Sequence, residues 1–359
     1  MLALSPLSGW GFSLEEGPFP EMVMLALAVL LDLIFGEIYP ARLHPVVWMG
    51  RVIQFLATPL TPTLRNLPNP PLLKRGFGRG SEGVSSGRWS RANFTEFMFG
   101  VALALLVPGC FAAAAYFALE GLRTLSEIGY ILVGALVLKS TFAVSMLDKA
   151  ASQVCRRLEE GHLDEARADL RSLVSRDTFN LPPELATAAA VESVAENTTD
   201  SFLAPWLAFA LFGVPGAVAY RAINTLDSMI GYHGIYEYLG KASARLDDLV
   251  NLVPARLSAM LIVAGGIFGH GGAREAKNSW RVMWRDHART PSPNAGWTMS
   301  SMAGALGVQL EKAGHYRLGD SQRALVPQAI KRAIGRMYFV AFSGLLIALA
   351  IVLVRHAII

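Results

Sequence analysis

Acidic side chains with helical spacing stand out between residues 191 and 259. Glu192, Glu196 and Asp200 follow one another at intervals of four residues, so a helix there would present three carboxylates on one face. Asp227 follows after an intervening apolar run. Like charges repel one another unless a cation lies among them, and hard oxygen ligands favour magnesium over zinc. We therefore predict that these four acids contribute ligands to Mg²⁺.

Amide and further charged side chains accompany the acids. Asn197 and Asn224 are expected to orient the metal ligands or to bind phosphate oxygens. A basic and acidic stretch follows the apolar run, and it contains Arg221, Lys241, Arg245, Asp247, Asp248 and Arg256. Its cations could hold phosphate groups. The alternative is that they pair with Asp247 and Asp248 or contact lipid headgroups.

The elements that position these groups belong to a membrane. Of the 359 residues, 53% are hydrophobic, and the mean hydropathy of +0.39 is too high for an ordinary soluble domain. Apolar runs long enough to span a bilayer predict an all-α, polytopic membrane protein. The net charge of +4 is therefore attributed to the excess of Lys and Arg that sets the orientation of a membrane protein. We expect no nucleic-acid partner. Cys110 and Cys155 predict neither a disulfide framework nor a metal site.

The number of membrane crossings depends on two weak apolar runs. Candidate runs lie at 22–36, 97–119, 128–147, 202–223, 257–269 and 337–354. If all crossed, segment 224–256 would lie on the side opposite Glu192 and Asp200. Run 202–223 is interrupted by Pro and Gly, and run 257–269 is short. We favour the interpretation that both are re-entrant or buried, which leaves about four true spans and places every polar cluster in the cytoplasm.

The chain is expected to form a single integral membrane domain over residues 1–359. Residues 57–96 are rich in Pro, Gly and Arg and predict a mobile loop. Residues 148–201 predict a cytosolic helical segment that leads into the site, with a helical hairpin at 158–173. Residues 270–336 predict a basic cytosolic segment, whose amphipathic stretch 274–289 suits the membrane surface.

Five blocks in this order carry a family resemblance. They read HPVVWMGR (44–51), ESVAENTTDSFLAP (192–205), AYRAINTLDSMIGY (219–232), LGKASARLDDLVNLVPARLSA (239–259) and SPNAGWTMSSMAGALGV (292–308). Together they resemble the membrane-bound adenosylcobinamide-phosphate synthases of cobalamin biosynthesis, over about residues 20–310. The segment SRDTFNL (175–181) also resembles the family, with Ser175 where Gly is common.

The resemblance implies an ATP-dependent amide ligase. Such an enzyme joins a propionate carboxyl of adenosylcobyric acid to an amino-alcohol phosphate, typically (R)-1-amino-2-propanol O-2-phosphate, and gives adenosylcobinamide phosphate. It also implies Mg²⁺, a corrinoid substrate, a bacterial or archaeal cytoplasmic membrane with its lipids, and other cobalamin-pathway enzymes as partners. The long loop 57–96 looks like an insertion.

Amide formation assigns roles to the charged residues. A carboxylate needs activation, which ATP can supply as an acyl phosphate, and the incoming ammonium needs a base. Glu196, Asp247, Asp248 and His44 are the candidate catalytic residues, although Asp247 or Asp248 could instead bind metal and His44 could be an ordinary helix-end histidine. The chain has no G-x-x-x-x-G-K-[ST] sequence, so the phosphates are expected on scattered cations such as Arg221, Lys241, Arg245 and Arg256.

Residues of the first and last blocks are further candidates. Arg51 follows His44 closely in the sequence, and we expect it to lie near the nucleotide or the corrinoid. Ser292 and Asn294 belong to a turn whose amides could cradle an anion, or which simply starts a helix. Trp297 and Tyr232 could stack on the corrin or on adenine, or anchor the chain at the membrane interface.

Two other functions stay open at this point. One is a non-catalytic membrane sensor of related sequence, although such a relative should lack several of the central acids. The other is a transporter of a corrinoid or small molecule, because broken helices with polar groups are typical of transporters. The acids of this chain lie mostly beside the apolar runs rather than within them.

Overall fold

A computed structural model describes residues 17–37, 42, 44–58, 91–231, 236–269 and 271–358. Within these ranges the chain is helical apart from loops and one short β-hairpin, which confirms the predicted all-α class. Most of the predicted loop 57–96 lies outside the described residues. Tyr232 lies outside them as well.

The helices follow one another with short connections. The first half of the chain forms α1 (Phe19–Phe35), α2 (Pro45–Ala57), α3 (Arg91–Arg123), α4 (Glu127–Lys139), α5 (Val144–Glu159) and α6 (Leu163–Leu170). The second half forms α7 (Pro183–Thr198), a π-helical turn (Thr199–Leu203), α8 (Ala204–Ile230), α9 (Lys241–Val250), α10 (Leu252–Ile267), α11 (Ala273–Asp286), a 3-10 turn (His287–Arg289), α12 (Ala295–Leu306), β1 (Leu310–Lys312), β2 (Tyr316–Leu318) and α13 (Gln328–Ile358).

The bundle has two ends. At one end, here called the tip end, Arg355 Nη1 donates to the carbonyl oxygen of Ala210 at 2.9 Å, and Arg355 Nη2 pairs with Glu21. Gly213 lies beside the same glutamate. The opposite end, here called the site end, begins where α1 brings Asp32 against Lys139.

Helices α1, α3, α4 and α13 run between these two ends. Gly134 of α4 packs on Met24 of α1, and Lys139 of α4 lies against Asp32 of α1, so the two helices run parallel from the tip end to the site end. Gly100 packs against the carbonyl of Leu239 at the site end, and α3 then runs to the tip end. By length and hydropathy alone, four segments qualify as spans: 93–123, 127–159, 183–230 and 328–358. Helix α1, with 17 residues, is shorter than these segments.

The segment 183–230 does not cross as one straight helix. Gly213 has non-helical dihedral angles (φ 67°, ψ −166°), and the chain turns there. A straight helix would separate Asp200 from Asp227 by about 40 Å, yet both side chains line one cavity. The apolar run therefore enters from the site end, turns at the tip end and returns, as predicted for 202–223.

Helix α10 also stays at the site end. It forms a hairpin with α11, in which Gly266 packs on the backbone of Ala276. The hairpin turn contacts the first third of α13, because the Phe268 and Phe339 rings lie 5.3 Å apart between centroids and Arg336 donates to the carbonyl of Gly265. It does not reach Arg355, so run 257–269 forms one arm of a partly exposed hairpin at the site end.

The apolar run 128–147 lies within the candidate span 127–159, but it does not form one continuous helix. Helix α4 ends at Lys139 and α5 begins at Val144. The buried carboxylate of Asp32 lies at this break, where it accepts hydrogen bonds from the amides of Val144 (3.1 Å) and Ser145 (2.8 Å). It also lies 3.2 Å from Lys139 Nζ. Asp32 thus caps α5 and neutralises a buried lysine, a long-range partnership that local periodicity cannot show.

Removing the charge of Asp32 should destabilise the bundle. Asp32 and Lys139 are each 1% exposed, and breaking a buried pair by removing one partner typically costs about 3–5 kcal/mol. We expect Asp32→Asn to lower the unfolding temperature in detergent clearly, and the double variant Asp32→Asn/Lys139→Met to recover much of it. Glu120→Gln, which removes a surface partner of Arg123, is the control. A loss no larger than the control's would contradict this account.

The other predicted helices are present in the structure, but the residues at which they begin and end differ from the predicted ones. Helix α3 starts at Arg91 rather than 97, and α13 covers 328–358 rather than 337–354. The predicted helical hairpin at 158–173 is confirmed, with Gly161 at positive φ between α5 and α6. The basic stretch 274–289 forms α11 and the turn after it.

Candidate functional site

A cavity of about 330 Å³ lies at the site end of the bundle. Its most distinctive feature is a set of five carboxylate side chains, contributed by Glu196, Asp200, Asp227, Asp247 and Asp248. All five were predicted from the sequence as metal ligands or catalytic residues. The structure therefore brings together acids that are up to 52 positions apart in the chain.

The backbone explains why these acids meet. Glu196 lies at the end of α7 and Asp200 in the π-helical turn, while Asp227 lies in the last turn of α8. The turn at Gly213 returns α8 to the site end. Helix α9 then starts directly against α8, because a Cβ atom at Gly240 would collide with the carbonyl oxygen of Ile230.

Asp247 is held by two amides. Its Oδ2 accepts from Asn251 Nδ2 at 3.0 Å, and its Oδ1 accepts from Asn224 Nδ2 at 3.4 Å. Asn251 in turn accepts from the hydroxyl of Tyr220 at 2.8 Å. The predicted role of Asn224 in orienting a carboxylate fits this geometry.

Arg221 supplies positive charge behind the acids. Its Nε donates to the carbonyl of Thr141 at 2.6 Å, and its Nη1 donates to Asn224 Oδ1 at 3.2 Å. Its charge acts on both Asp200 and Asp247. Arg221 is not in the cavity lining, so it can counter the acids electrostatically while its hydrogen bonds hold it in place.

Glu192 lies behind the cavity wall. It is 6% exposed and accepts a hydrogen bond from Arg176 Nη2 at 3.1 Å. Arg176 lines the cavity, whereas Glu192 does not. This differs from the prediction of Glu192 as a metal ligand, because its partner is an arginine supplied by the preceding loop.

The turn before α12 forms another wall of the cavity. Ser292 Oγ accepts from the amides of Asn294 (3.2 Å) and Ala295 (3.3 Å), so it caps α12 and these two amides are already engaged. Asn294 donates to the carbonyl of Asp248 at 2.7 Å and accepts from Arg256 Nη1 at 2.8 Å. The predicted residues Ser292 and Asn294 thus line the cavity, chiefly as the elements that fix this wall.

Arg256 and Trp297 lie next to this wall but outside the lining. The guanidinium of Arg256 is 5.0 Å from the ring centroid of Trp297. The indole also contacts Trp284 and His287, with centroid distances of 5.2 and 4.1 Å. Phosphate binding by Arg256 and stacking by Trp297 stay predictions.

His44 is a helix cap in this structure. Its Nδ1 accepts from the amide of Val46 at 3.1 Å, and its Nε2 lies 3.2 Å from Glu37. Burial lowers the pKa of His44, whereas Glu37 raises it. His44 is absent from the cavity lining, so these contacts match the helix-end alternative rather than proton transfer to a substrate.

Four other predicted residues also lie outside the lining. Asn197 donates to the carbonyl of Ser193 and accepts from Ser201. Arg51 stacks on Trp48 at 5.7 Å. The side chain of Arg245 is 78% exposed, 3.9 Å from Asp248, and Lys241 is exposed at the start of α9.

Among the lining residues to which the sequence analysis gave no role are Arg176, Lys312, His315 and Tyr316. Arg176 lies in the block SRDTFNL. The other three belong to the β-hairpin, whose alternating apolar residues around Gly314 are only a weak strand signal over two three-residue strands. Burial raises the pKa of Tyr316 well above its ordinary value, and the charges of Glu192 and Glu196 raise it further, so Tyr316 stays a hydroxyl donor.

The cavity fits Mg²⁺ bound jointly with a ligand. In the described ranges, no three His, Cys, Asp or Glu side chains lie close enough together to hold a metal ion. Mg²⁺ commonly binds one or two carboxylates and completes its shell with water and substrate phosphates. The negative charges of Asp247, Glu196 and Asp227 repel that of Asp200. A bound cation would relieve this repulsion. The predicted set of four acids therefore does not form a closed cage.

Fold and site together define a class of protein: an all-α integral membrane protein with an acid-lined cavity at one end of its bundle. Comparison with known families is more specific. The family model described as CobD/Cbib protein matches residues 25–337. The chain therefore belongs to the CobD/CbiB family.

Several relatives support this membership along most of their length. Cobalamin biosynthesis protein CobD of Dehalococcoides mccartyi (strain CBDB1) is 44% identical over 309 residues, which cover 86% of this chain and 90% of the relative. CobD of Geobacter metallireducens is 38% identical, with coverage of 87% and 90%. Cobalamin biosynthesis protein CbiB of Salmonella choleraesuis is 37% identical, with coverage of 92% and 97%. No solved structure matches the chain.

Proposed function

We propose that this protein acts in cobalamin biosynthesis as an ATP-dependent amide ligase, which joins adenosylcobyric acid to (R)-1-amino-2-propanol O-2-phosphate or a similar amino-alcohol phosphate. The relatives are named as cobalamin biosynthesis proteins. The observation that carries the proposal is the cavity, where carboxylates from α7, the π-helical turn, α8 and α9 face Arg176 and Lys312. Amide synthesis from ATP needs this combination of metal-binding acids, phosphate-binding cations and a base.

The reaction has two chemical steps. In the first, an oxygen of the substrate carboxylate attacks the γ-phosphorus of ATP, which forms an acyl phosphate and releases ADP. In the second, the amine of the amino alcohol attacks the acyl carbon, and inorganic phosphate leaves as the amide forms. The proton lost by the ammonium goes to a carboxylate, for which Asp247, held by Asn224 and Asn251, is the best-positioned base.

Mg²⁺ would bind through Glu196, Asp200 or Asp227, together with phosphate oxygens. Bound there, it would neutralise charge on the phosphates as they transfer. Arg176 and Lys312, which line the same cavity, would bind and orient the phosphates. Tyr316 also lines the cavity, and its hydroxyl would donate a hydrogen bond to a group bound there.

The size of the cavity limits what enters it. About 330 Å³ is at the lower end of small-molecule pockets and is too small for a corrin macrocycle with all its side chains. The reacting propionate arm and the amino-alcohol phosphate would occupy the cavity. The macrocycle would rest outside, against the exposed residues at its rim.

Orientation follows from the distribution of basic residues. Among the Lys and Arg residues whose side chains the structure describes, Arg123 and Arg355 lie at the tip end and the others at the site end or along α5 to α7. Excess positive charge marks the cytoplasmic side. We therefore place the protein in the cytoplasmic membrane with its cavity facing the cytoplasm, where ATP is available.

The test is reconstitution with purified protein in detergent. Adenosylcobyric acid, aminopropanol phosphate, ATP and Mg²⁺ are supplied, and adenosylcobinamide phosphate is detected by mass. We expect product only when all four are present, with one ADP formed per amide. Corrinoid binding without any product would instead support a sensor or transporter.

A further inference from the structure

A second, more open groove adjoins the acidic cavity. It has a volume of about 510 Å³, and its charged lining consists of Arg289, Lys312, Arg317 and Glu311, with His315 beside them. Lys312, His315 and Tyr316 line both spaces, so the groove borders the cavity at these residues. The groove therefore offers three permanent positive charges against one negative charge at the mouth of a site rich in carboxylates.

The groove is a built feature rather than a loose surface loop. Leu310 and Leu318, which pair across the strands at the open end of the β-hairpin, are completely buried. The carboxylate of Asp286, also fully buried, accepts from the amide of Gly319 at 2.8 Å and lies 3.1 Å from Arg289 Nη1. These contacts mount the hairpin firmly on α11.

The guanidinium groups of Arg289 and Arg317 are partly exposed although the hairpin is held rigidly. Arg289 donates to the carbonyl of Arg317 at 3.2 Å, yet its side chain is 50% exposed. The side chain of Arg317 is 66% exposed, although it lies 3.0 Å from Glu311. Both guanidiniums therefore retain N–H groups that can bind an anion.

The register of the hairpin sorts its side chains between the two spaces. Lys312 pairs with Tyr316, and Glu311 pairs with Arg317. Successive strand residues point to opposite faces, so Lys312 and Tyr316 share the face that carries the buried Leu310 and Leu318. Arg317 is on the other face. Lys312 thus lies at the junction, with its charge acting on Glu192 at the cavity wall.

We propose that this groove, formed by Arg289, Lys312 and Arg317, binds the polyphosphate of a nucleoside triphosphate, with its terminal phosphate directed past Lys312 into the acidic cavity. The inference rests on the proposed ligase function and places the nucleotide at the hairpin rather than on Lys241, Arg245 and Arg256. A triphosphate carries several negative charges, which the carboxylates would repel and the groove would attract. Arginine and lysine are the side chains that bind such phosphates.

Steady-state kinetics of the full-length protein test the groove. Loss of a charged phosphate contact should raise the KM for ATP by about tenfold or more in Lys312→Ala and in Arg317→Ala. The KM for the corrinoid should stay unchanged in Arg317→Ala. Lys331→Ala and Arg281→Ala are matched controls, because each removes a surface cation paired with an acid outside the groove. An unchanged KM for ATP in both groove variants would overturn the proposal.

Direct binding separates this inference from the ligase function. Equilibrium binding of radiolabelled ATP should weaken by a similar factor in the groove variants, even if the wild type forms no amide. Phosphates of anionic lipids share the same chemistry, so binding is repeated in nanodiscs of phosphatidylcholine with and without phosphatidylglycerol. A groove that bound headgroups would lose ATP-independent phosphatidylglycerol binding in the variants while ATP binding stayed normal, and that result would also overturn the proposal.

Discussion

Glu196→Gln and Asp227→Asn are each expected to reduce the kcat of amide formation by about a hundredfold or more. Both side chains line the cavity, and both act on the same neighbour, Asp200. Each substitution keeps the shape of the side chain and removes its negative charge. The loss should therefore come from weaker Mg²⁺ binding and phosphate positioning rather than from a gap in packing.

Controls make this prediction specific. Asp164→Asn changes a carboxylate whose side chain is 94% exposed on α6, and it should retain full activity. Unfolding temperatures of both cavity variants should match or exceed that of the wild type, because the substitutions relieve repulsion between acids. Raising Mg²⁺ should restore part of the activity. Full activity in both variants would leave the ligase proposal standing and refute the assignment of these acids.

The second large effect is expected at Arg176. Its guanidinium binds Glu192 at 3.1 Å, and the two side chains are only 15% and 7% exposed. Arg176→Ala would leave a carboxylate buried without its partner, which typically costs about 3–5 kcal/mol. It would also remove a cation from the cavity lining. We expect a lower unfolding temperature together with a loss of activity.

A double variant separates these two consequences. Arg176→Ala/Glu192→Gln removes the stranded charge, so it should recover most of the thermal stability while activity stays low. Arg171→Ala, an exposed arginine five positions earlier, serves as the control and should change neither quantity. Recovery of activity with stability would show that Arg176 acts only through folding.

Much of the membrane architecture could be predicted because it depends on local composition. Apolar runs located the spans, and Pro and Gly within 202–223 indicated the re-entrant segment that Gly213 forms. The same reasoning grouped Asp200 with Asp227, which the structure places in one cavity. Helical spacing could not show that Glu192 pairs with Arg176 from a preceding loop, because such a partner lies outside the helix.

Long-range contacts account for the other differences. Helix α4 ends early because Asp32, more than 100 positions away, supplies the cap for α5. His44 matched a family block, yet its hydrogen bonds are those of a helix start. The β-hairpin escaped notice because two three-residue strands in a helical chain give a weak signal, although they contribute Lys312 and Tyr316 to the cavity.

The most direct test of the acyl phosphate route traces an ¹⁸O label from the substrate carboxyl into the products. Adenosylcobyric acid labelled with ¹⁸O in its reacting carboxyl is converted by the purified protein, and the products are analysed by mass spectrometry. Activation by ATP at this cavity predicts that one ¹⁸O atom appears in inorganic phosphate for each amide formed, with ADP as the other product. Amide formation without ADP, or ¹⁸O in AMP instead of phosphate, would contradict an acyl phosphate route.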